Sequence, residues 1–162
     1  MSQSPSGHVA VPQLIYRYAE LLDSGDFAGV GELFTDAVIH VHETGEEYAG
    51  RDEIRAMYED WVRTYPDNGT PHTRHVTTNL ILDVDDERGT ATCRSYVTVL
   101  QCTDELPLQP IVSGRYHDRF RRVDGTWRFE HRRMINDYLG DLSRHLRHPF
   151  AQQAAGERSG PA

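Results

Sequence analysis

An aspartate and a histidine in this chain are the residue types that an acid/base site needs. Asp23 ends an amphipathic segment over 18–23, and His75 stands in the strand-like segment over 73–79. A carboxylate beside an imidazole fixes the tautomer of the ring and balances its positive charge, so the ring can accept a proton near neutral pH. If the fold brings these two side chains together, they form a minimal acid/base pair.

Apolar periodicity indicates the elements that must position the pair. The first pattern predicts a helix with Asp23 at its end, and Asp26 is a candidate N-cap for a short second helix. A strand over 37–42 and a turn over 43–45 lead into a third helix. The three helical patterns consist of Val11, Leu14, Ile15, Tyr18 and Leu22, then Phe27, Val30, Leu33 and Phe34, then Ile54, Met57, Tyr58, Trp61 and Val62.

The second half of the chain has the alternation of strands. Strands are predicted over 76–84, 90–100, 111–123 and 126–136, with a hairpin turn at Asp124-Gly125. Helices followed by a meander predict an α+β fold, in which three helices lie on the concave face of a curved antiparallel sheet, a cone-like α+β barrel, and enclose a pocket. One domain over 11–148 is expected, with flexible ends over 1–10 and 149–162.

Composition and charge narrow the choice of partners. The formal net charge of the 162 residues is −8 and the basic residues are scattered, which argues against nucleic-acid binding. We find no apolar run of about 18 residues and no charged-then-apolar leader. The two cysteines, Cys93 and Cys102, lack metal-ligand or redox spacing. We therefore expect a reduced, cytoplasmic protein whose partner is a small molecule and neither nucleic acid nor membrane.

Several sequence strings occur in an order and spacing that is specific for one fold. They are Arg17-Tyr18 through Gly25-Asp26, Leu33-Phe34-Thr35-Asp36, His75 through Leu80, Gly114 through Asp118, and Asp124-Gly125-x-Trp127-x-Phe129. With these strings the chain resembles the SnoaL-like branch of the nuclear transport factor two-like superfamily over about residues 11–142. The resemblance implies the fold just described and a cofactor-free enzyme, since this branch contains small lyases, isomerases and cyclases.

The resemblance also implies roles for four residues. Asp23 and His75 correspond to the Asp–His pair of scytalone dehydratase, bile-acid dehydratase and hexachlorocyclohexane dehydrochlorinase. Tyr18 falls where bile-acid dehydratase and ketosteroid isomerase have a functional Tyr and the dehydrochlorinase has a Lys. Arg132 falls at an active-site Arg of the dehydrochlorinase. His75 would then be the base and Asp23 its partner, while Tyr18 and Arg132 would stabilise developing negative charge.

At other positions this chain has different residue types from these enzymes. Val99 stands where scytalone dehydratase has a second His and bile-acid dehydratase an Asp, so the second catalytic partner is missing. His42 and Tyr116 correspond to the two pocket aspartates of ketosteroid isomerase. The resemblance and the strand patterns together predict a substrate pocket formed by His42, Tyr58, Trp61, Val97, Val99 and Tyr116.

Strand alternation makes two further predictions about side-chain direction. Arg132 and Arg133 point to opposite faces, and Arg132 lies opposite Trp127 and Phe129 unless a bulge intervenes, which leaves open which arginine faces the pocket. The small, apolar face of the strand over 90–100 should line the cavity or core. That face consists of Ala91, Cys93, Ser95, Val97 and Val99.

Two histidine pairs could suggest a metal site. His40 and His42 alternate onto one strand face, whereas His72 and His75 would diverge on an extended strand. Neither pair has a third acidic or cysteine ligand in position, so we expect no metal and no cofactor.

These observations predict an acid/base enzyme, namely a dehydratase, isomerase or cyclase, for a small apolar oxygenated substrate such as a polyketide- or steroid-like metabolite. The alternatives are a non-catalytic binding or dimeric interaction module of this fold, and a structural subunit of a larger oxygenase. The Asp–His pair favours the enzyme, because a binding protein has no need of it. We also expect a homodimer through the outer sheet face, with Thr92, Arg94, Tyr96, Arg115, His117 and Arg128.

Overall fold

Three helices pack against one six-stranded sheet in the computed structural model, which describes residues 5–150. The strand order β2-β1-β6-β5-β4-β3 runs from edge to edge without closing, and β1 with β6 is the one parallel pair. The predicted α+β class is confirmed. The elements are α1 (Gly7–Ser24), α2 (Phe27–Leu33), β1 (Val38–Val41), β2 (Glu47–Ala49), α3 (Gly50–Trp61), β3 (Thr73–Asp85), β4 (Thr90–Gln101), β5 (Gln109–Val123) and β6 (Thr126–Leu139).

The apolar faces of the helices and the inner face of the sheet form one core. Strand β4 alternates as predicted, because its small side chains are buried while Thr92, Arg94 and Tyr96 are exposed. Burial of apolar side chains is the main favourable term in folding, so this alternation fixes the register of the central strands. The buried face of β4 consists of Ala91, Cys93, Ser95, Val97 and Val99.

The first helix begins earlier than the sequence patterns predict. We expected the domain to start near residue 11, but α1 starts at Gly7 with Ser6 as its N-cap. Asp86, in the turn after β3, accepts hydrogen bonds from Ser6 Oγ at 2.7 Å and from the Gly7 backbone N–H at 2.9 Å. This contact between distant residues orders the start of the helix, and it leaves no trace in apolar periodicity. Residues 1–4 and 151–162 of the expected flexible ends lie outside the described residues.

A bulge in β6 decides where Arg132 points. Phe120 pairs with Phe129 and Arg119 pairs with His131, so Glu130 is an extra residue on β6. An extra residue shifts the alternation by one position. Arg132 therefore lies on the same buried face as Phe129, and Arg133 turns outward.

The outer face of the sheet is polar and partly exposed to solvent. The six residues expected at a dimer contact all lie there, each half-buried or exposed. Within residues 5–150, no helix has the length and hydropathy needed to cross a membrane.

Candidate active site

Asp23 and His75 meet at the end of α1 and form the predicted hydrogen bond, but neither residue is among those that line the apolar cavity described below. The Nδ1 of His75 donates to Oδ1 of Asp23 at 2.6 Å, and the two side chains are 9% and 11% exposed. Asp23 also accepts the backbone N–H of His75 at 2.8 Å and the hydroxyl of Thr73 at 2.8 Å. Because the carboxylate can only accept, Nδ1 carries the proton and Nε2 is left as the basic nitrogen of the ring.

A tight turn after α1 places Asp23 beside β3. Gly25 has a left-handed φ of 74° and donates its N–H to the carbonyl groups of Leu21 and Leu22, which ends the helix. A Cβ atom at Gly25 would lie 2.5 Å from the carbonyl oxygen of Gly69. Any side chain at this position would therefore push the end of α1 away from the loop that leads into His75.

The environment of Asp23 keeps it ionised. Burial alone would raise its pKa, but the hydrogen bond and positive charge of His75, with smaller contributions from the backbone N–H and Thr73, outweigh burial and hold the pKa of Asp23 below its ordinary value. An ionised Asp23 can stabilise the imidazolium that forms when His75 accepts a proton.

Arg132 is a buried structural cation. Its guanidinium makes two hydrogen bonds to Asp118, at 2.8 and 2.7 Å, and both side chains are 0% exposed. The rings of Tyr18 and Tyr116 flank it at 4.2 and 4.0 Å. Burial opposes its charge, yet Asp118 outweighs burial and raises the pKa of Arg132. Arg132 is not among the residues that line the apolar cavity described below. The prediction that it contacts a leaving group is therefore corrected: Arg132 holds the core together instead.

Tyr18 does not line the cavity itself but contacts Tyr58, which does. Its hydroxyl lies 2.5 Å from the hydroxyl of Tyr58, and both rings are buried. Tyr58 lines the largely apolar cavity between α3 and the sheet, whereas Tyr18 lies behind it. Burial, together with Tyr18, raises the pKa of Tyr58 well above its ordinary value. Tyr58 is therefore a neutral O–H group at the cavity wall, and Tyr18 positions it.

The cavity has a volume of about 160 Å³. A dry protein cavity of about 150 Å³ can hold benzene, so this one suits a ligand of about one ring. Its polar groups are few and include Tyr58, Asn136, Glu46 and His145. The wall is lined by Val41, Thr44, Glu46, Tyr48, Met57, Tyr58, Trp61, Val62, Val112, Met134, Asn136, Leu139, Leu142, His145, Leu146 and Phe150.

Two of the six residues expected to contact substrate, Tyr58 and Trp61, line this cavity. The predicted place of His42 in the pocket is corrected, because the alternation of β1 turns Val41 inward and leaves His42 exposed. His42 instead accepts a hydrogen bond from Arg133 at 2.8 Å. The other three pack in the core and are not among the lining residues: Val97, Val99 and Tyr116.

The candidate metal pairs are occupied by other contacts. His40 lies 3.2 Å from Glu47, and His72 lies 2.9 Å from Asp67. No group of three metal-ligand side chains comes together within residues 5–150.

His145 is the site residue that the sequence patterns missed. It lines the cavity, and its Nδ1 is buried with no hydrogen-bond partner within the part of the chain that the structure describes. Burial, with the positive charge of His75, lowers the pKa of His145 to about 4, although Asp23 opposes the shift. The one sequence signal was the spacing of Leu142, Leu146 and Phe150, whose apolar side chains recur every four residues and line the same cavity.

The lowered pKa of His145 predicts a pH-dependent loss of stability. The unfolded chain takes up a proton at His145 near pH 6.5, whereas the folded chain does so only near pH 4. Folding stability should therefore fall as the pH drops from 6.5 to 4, by up to about 3 kcal/mol from this group. Protonation of Asp23 also lowers the stability of the fold, but only below this pH window, because the pKa of Asp23 is held below its ordinary value of 3.8.

Urea unfolding at several pH values checks this. His145→Leu should flatten the fall between pH 6.5 and 4, while a matched change of the exposed His8, H8Q, should leave it as in the wild type. Equal pH dependence in H145L and the wild type would contradict the assignment.

With the geometry established, comparison with known proteins gives the family. A model of the SnoaL-like domain matches residues 6–133. The chain belongs to the SnoaL-like domain family. His145 and the segment that carries it lie beyond the matched residues. No curated protein is significantly similar to this SnoaL-like chain.

Solved structures agree with the family assignment. Rv3472, a protein of unknown function from Mycobacterium tuberculosis, is 29% identical, with a TM-score of 0.66 over 82% of this chain and 72% of that one. A candidate scytalone dehydratase from Novosphingobium aromaticivorans is 26% identical, with a TM-score of 0.64 over 82% and 85%. ActVI-ORFA from Streptomyces coelicolor is 22% identical over 80% and 96%, with a TM-score of 0.64, and supports the fold alone.

Proposed function

We propose that this SnoaL-like protein is a cofactor-free acid/base enzyme that removes a proton from a carbon next to a carbonyl group. The observation that carries the proposal is the 2.6 Å hydrogen bond between Asp23 and His75, with both side chains about nine-tenths buried. A buried carboxylate with three hydrogen-bond donors holds one tautomer and balances one positive charge, as a base requires.

In the proposed reaction, Nε2 of His75 takes the proton and the electron pair of the C–H bond forms the enolate. The enolate then either regains the proton from His75, or it expels the hydroxyl group on the next carbon, which takes the proton from His75 and leaves as water to complete a dehydration. The O–H of Tyr58 is available to stabilise negative charge on oxygen, because Tyr58 lines the cavity and its raised pKa keeps it protonated. Isomerisation and cyclisation would begin with the same proton removal.

The cavity limits the substrate. Its volume of about 160 Å³ and its mainly aliphatic and aromatic wall suit a compound of about one ring with few oxygen atoms. The relative from Novosphingobium aromaticivorans, a candidate scytalone dehydratase, supports an elimination.

Hydrogen–deuterium exchange tests the proposal. The wild-type protein should accelerate exchange at the carbon next to the carbonyl of cyclohexanone in deuterated water, followed by proton NMR. It should also convert β-hydroxycyclohexanone to cyclohexenone and water, followed by ultraviolet absorbance. Rates equal to those of buffer with both compounds would reject the proposed function for one-ring ketones.

A homodimer through the outer sheet face and a cytoplasmic location are further proposals. The polar, partly exposed character of that face supports the first, since polar residues can pair across a two-fold axis.

A further inference from the structure

The segment after β6 returns to the cavity and is held there from several sides. The backbone N–H of Arg63 donates to the carbonyl of His145 at 2.8 Å, and that of Arg147 donates to the carbonyl of Trp61 at 2.9 Å. Val62 and Leu146 form an isolated bridge between the two segments. The position of His145 is therefore fixed against the end of α3.

A buried glutamine connects this segment to the start of β3. Gln101 is 0% exposed, and its Nε2 donates to the carbonyl groups of Pro71 and Arg144, both at 3.0 Å. The residue before His145 is thus tied to the turn that precedes His75. The same arrangement brings His145 close enough to His75 for charge on one ring to disfavour charge on the other.

His145 has no partner for its ring within the described residues. Its Nδ1 is buried and has no hydrogen-bond partner among residues 5–150. A buried polar group without a partner is destabilising, and a structure tolerates it where a ligand or water completes the bond. His145 is also a lining residue of the apolar cavity, so a bound ligand can reach it.

We infer that His145 binds the carbonyl oxygen of the substrate as a neutral hydrogen-bond donor, beside His75 as the base. The inference rests on the proposed function. In it, His145 takes the role of the second catalytic residue, which scytalone dehydratase and bile-acid dehydratase have at the position of Val99. His75 removes the proton, the electrons of the C–H bond form the enolate, and the negative charge on oxygen is stabilised by an N–H of His145. The N–H proton of His145 stays on His145 throughout, and the proton that His75 removed returns to carbon from His75.

The chemistry of a neutral imidazole fits this role. The pKa of about 4 keeps His145 uncharged at neutral pH. An uncharged imidazole can polarise a carbonyl group through its N–H, and it does not repel the positive charge that His75 acquires. A donor aimed at a developing oxyanion typically contributes about 10²–10³ in rate.

Two variants and two measurements test the inference. His145→Leu should slow deuterium exchange of cyclohexanone by about 10²–10³, whereas H145Q, which retains an N–H donor, should lose less. The infrared carbonyl stretch of bound cyclohexanone should lie at lower frequency in the wild type than in H145L. His148→Leu is the matched control on the same segment, because the Nε2 of His148 lies 3.1 Å from Asp60 and His148 is not among the residues that line the cavity.

The carbonyl stretch separates this inference from the proposed function. His75→Gln should slow exchange by about 10²–10⁴ but keep the lowered stretch, because His145 still binds the oxygen. If H145L left both exchange and stretch unchanged while H75Q slowed exchange, the inference would be wrong and the proposed function would stand. If the wild type lowered the stretch without catalysing exchange, His145 would bind the oxygen and the proposed function would be wrong.

Discussion

Replacing His75 by Gln should slow deuterium exchange of cyclohexanone by about 10²–10⁴, the usual contribution of a positioned base. The reason is that Gln cannot accept a proton near neutral pH, although its side chain can still bond to Asp23. Asp23→Asn should also slow exchange, because a neutral amide no longer balances the charge of the imidazolium. NMR rates at fixed enzyme concentration, with the unfolding midpoint of each variant, provide the measurement.

The chain offers a matched control three residues away. His72 also bonds to an aspartate, with its Nε2 2.9 Å from Asp67, but this pair is more exposed, at 20% and 60%, and lines a polar surface groove. His72→Gln should therefore leave exchange within a few-fold of the wild type. Equal loss in H72Q and H75Q would indicate a general effect on folding and would argue against His75 as the base.

Replacing Arg132 by Met should destabilise the fold by about 3–5 kcal/mol, because it leaves the carboxylate of Asp118 buried without a partner. The two side chains are 0% exposed and share two hydrogen bonds, so neither charge can turn to water. Asp118→Asn should cost a similar amount. For a chain of this length each kcal/mol lowers the melting temperature by roughly 2–4 °C, so calorimetry and urea unfolding both measure the effect.

An exposed ion pair between the same two strands is the control. Arg119 and Glu130 lie 3.4 Å apart and are 56% and 43% exposed. Arg119→Gln should cost no more than about 1 kcal/mol, because water screens this pair. The double variant R132M/D118L should recover part of the loss, since an apolar pair can replace a buried ion pair. A loss below 1 kcal/mol for R132M would show that the buried pair is not a major source of stability.

The polar residues of the interior form two groups with different expected roles. Asp23 binds Nδ1 of His75 and leaves Nε2 as the basic nitrogen of the ring. Arg132 instead makes two hydrogen bonds to Asp118, and its guanidinium lies against the rings of two tyrosines, Tyr18 and Tyr116. Tyr58 lines the cavity, and its hydroxyl contacts that of Tyr18. Loss of stability at Arg132 and loss of rate at His75 should therefore be separable.

The sequence by itself indicated the three helices, every strand except β2, and the inward face of β4. Each of these depends on local periodicity, since apolar side chains every three to four residues or every second residue must face the core. The Asp23–His75 pair, 52 residues apart in the chain, came from resemblance to enzymes with such a pair, and the observed hydrogen bond confirms the contact.

Tertiary structure alone decided the rest of the site. The bulge at Glu130 turned Arg132 into the core, and the alternation of β1 placed Val41 instead of His42 at the cavity. His145 reaches the cavity because its segment docks on α3, where Arg147 Nε bonds to the carbonyl of Val62 across 85 residues. Local patterns record which face of an element is buried, but neither a shift of one residue in register nor the docking of a distant segment changes those patterns, so only the folded chain reveals them.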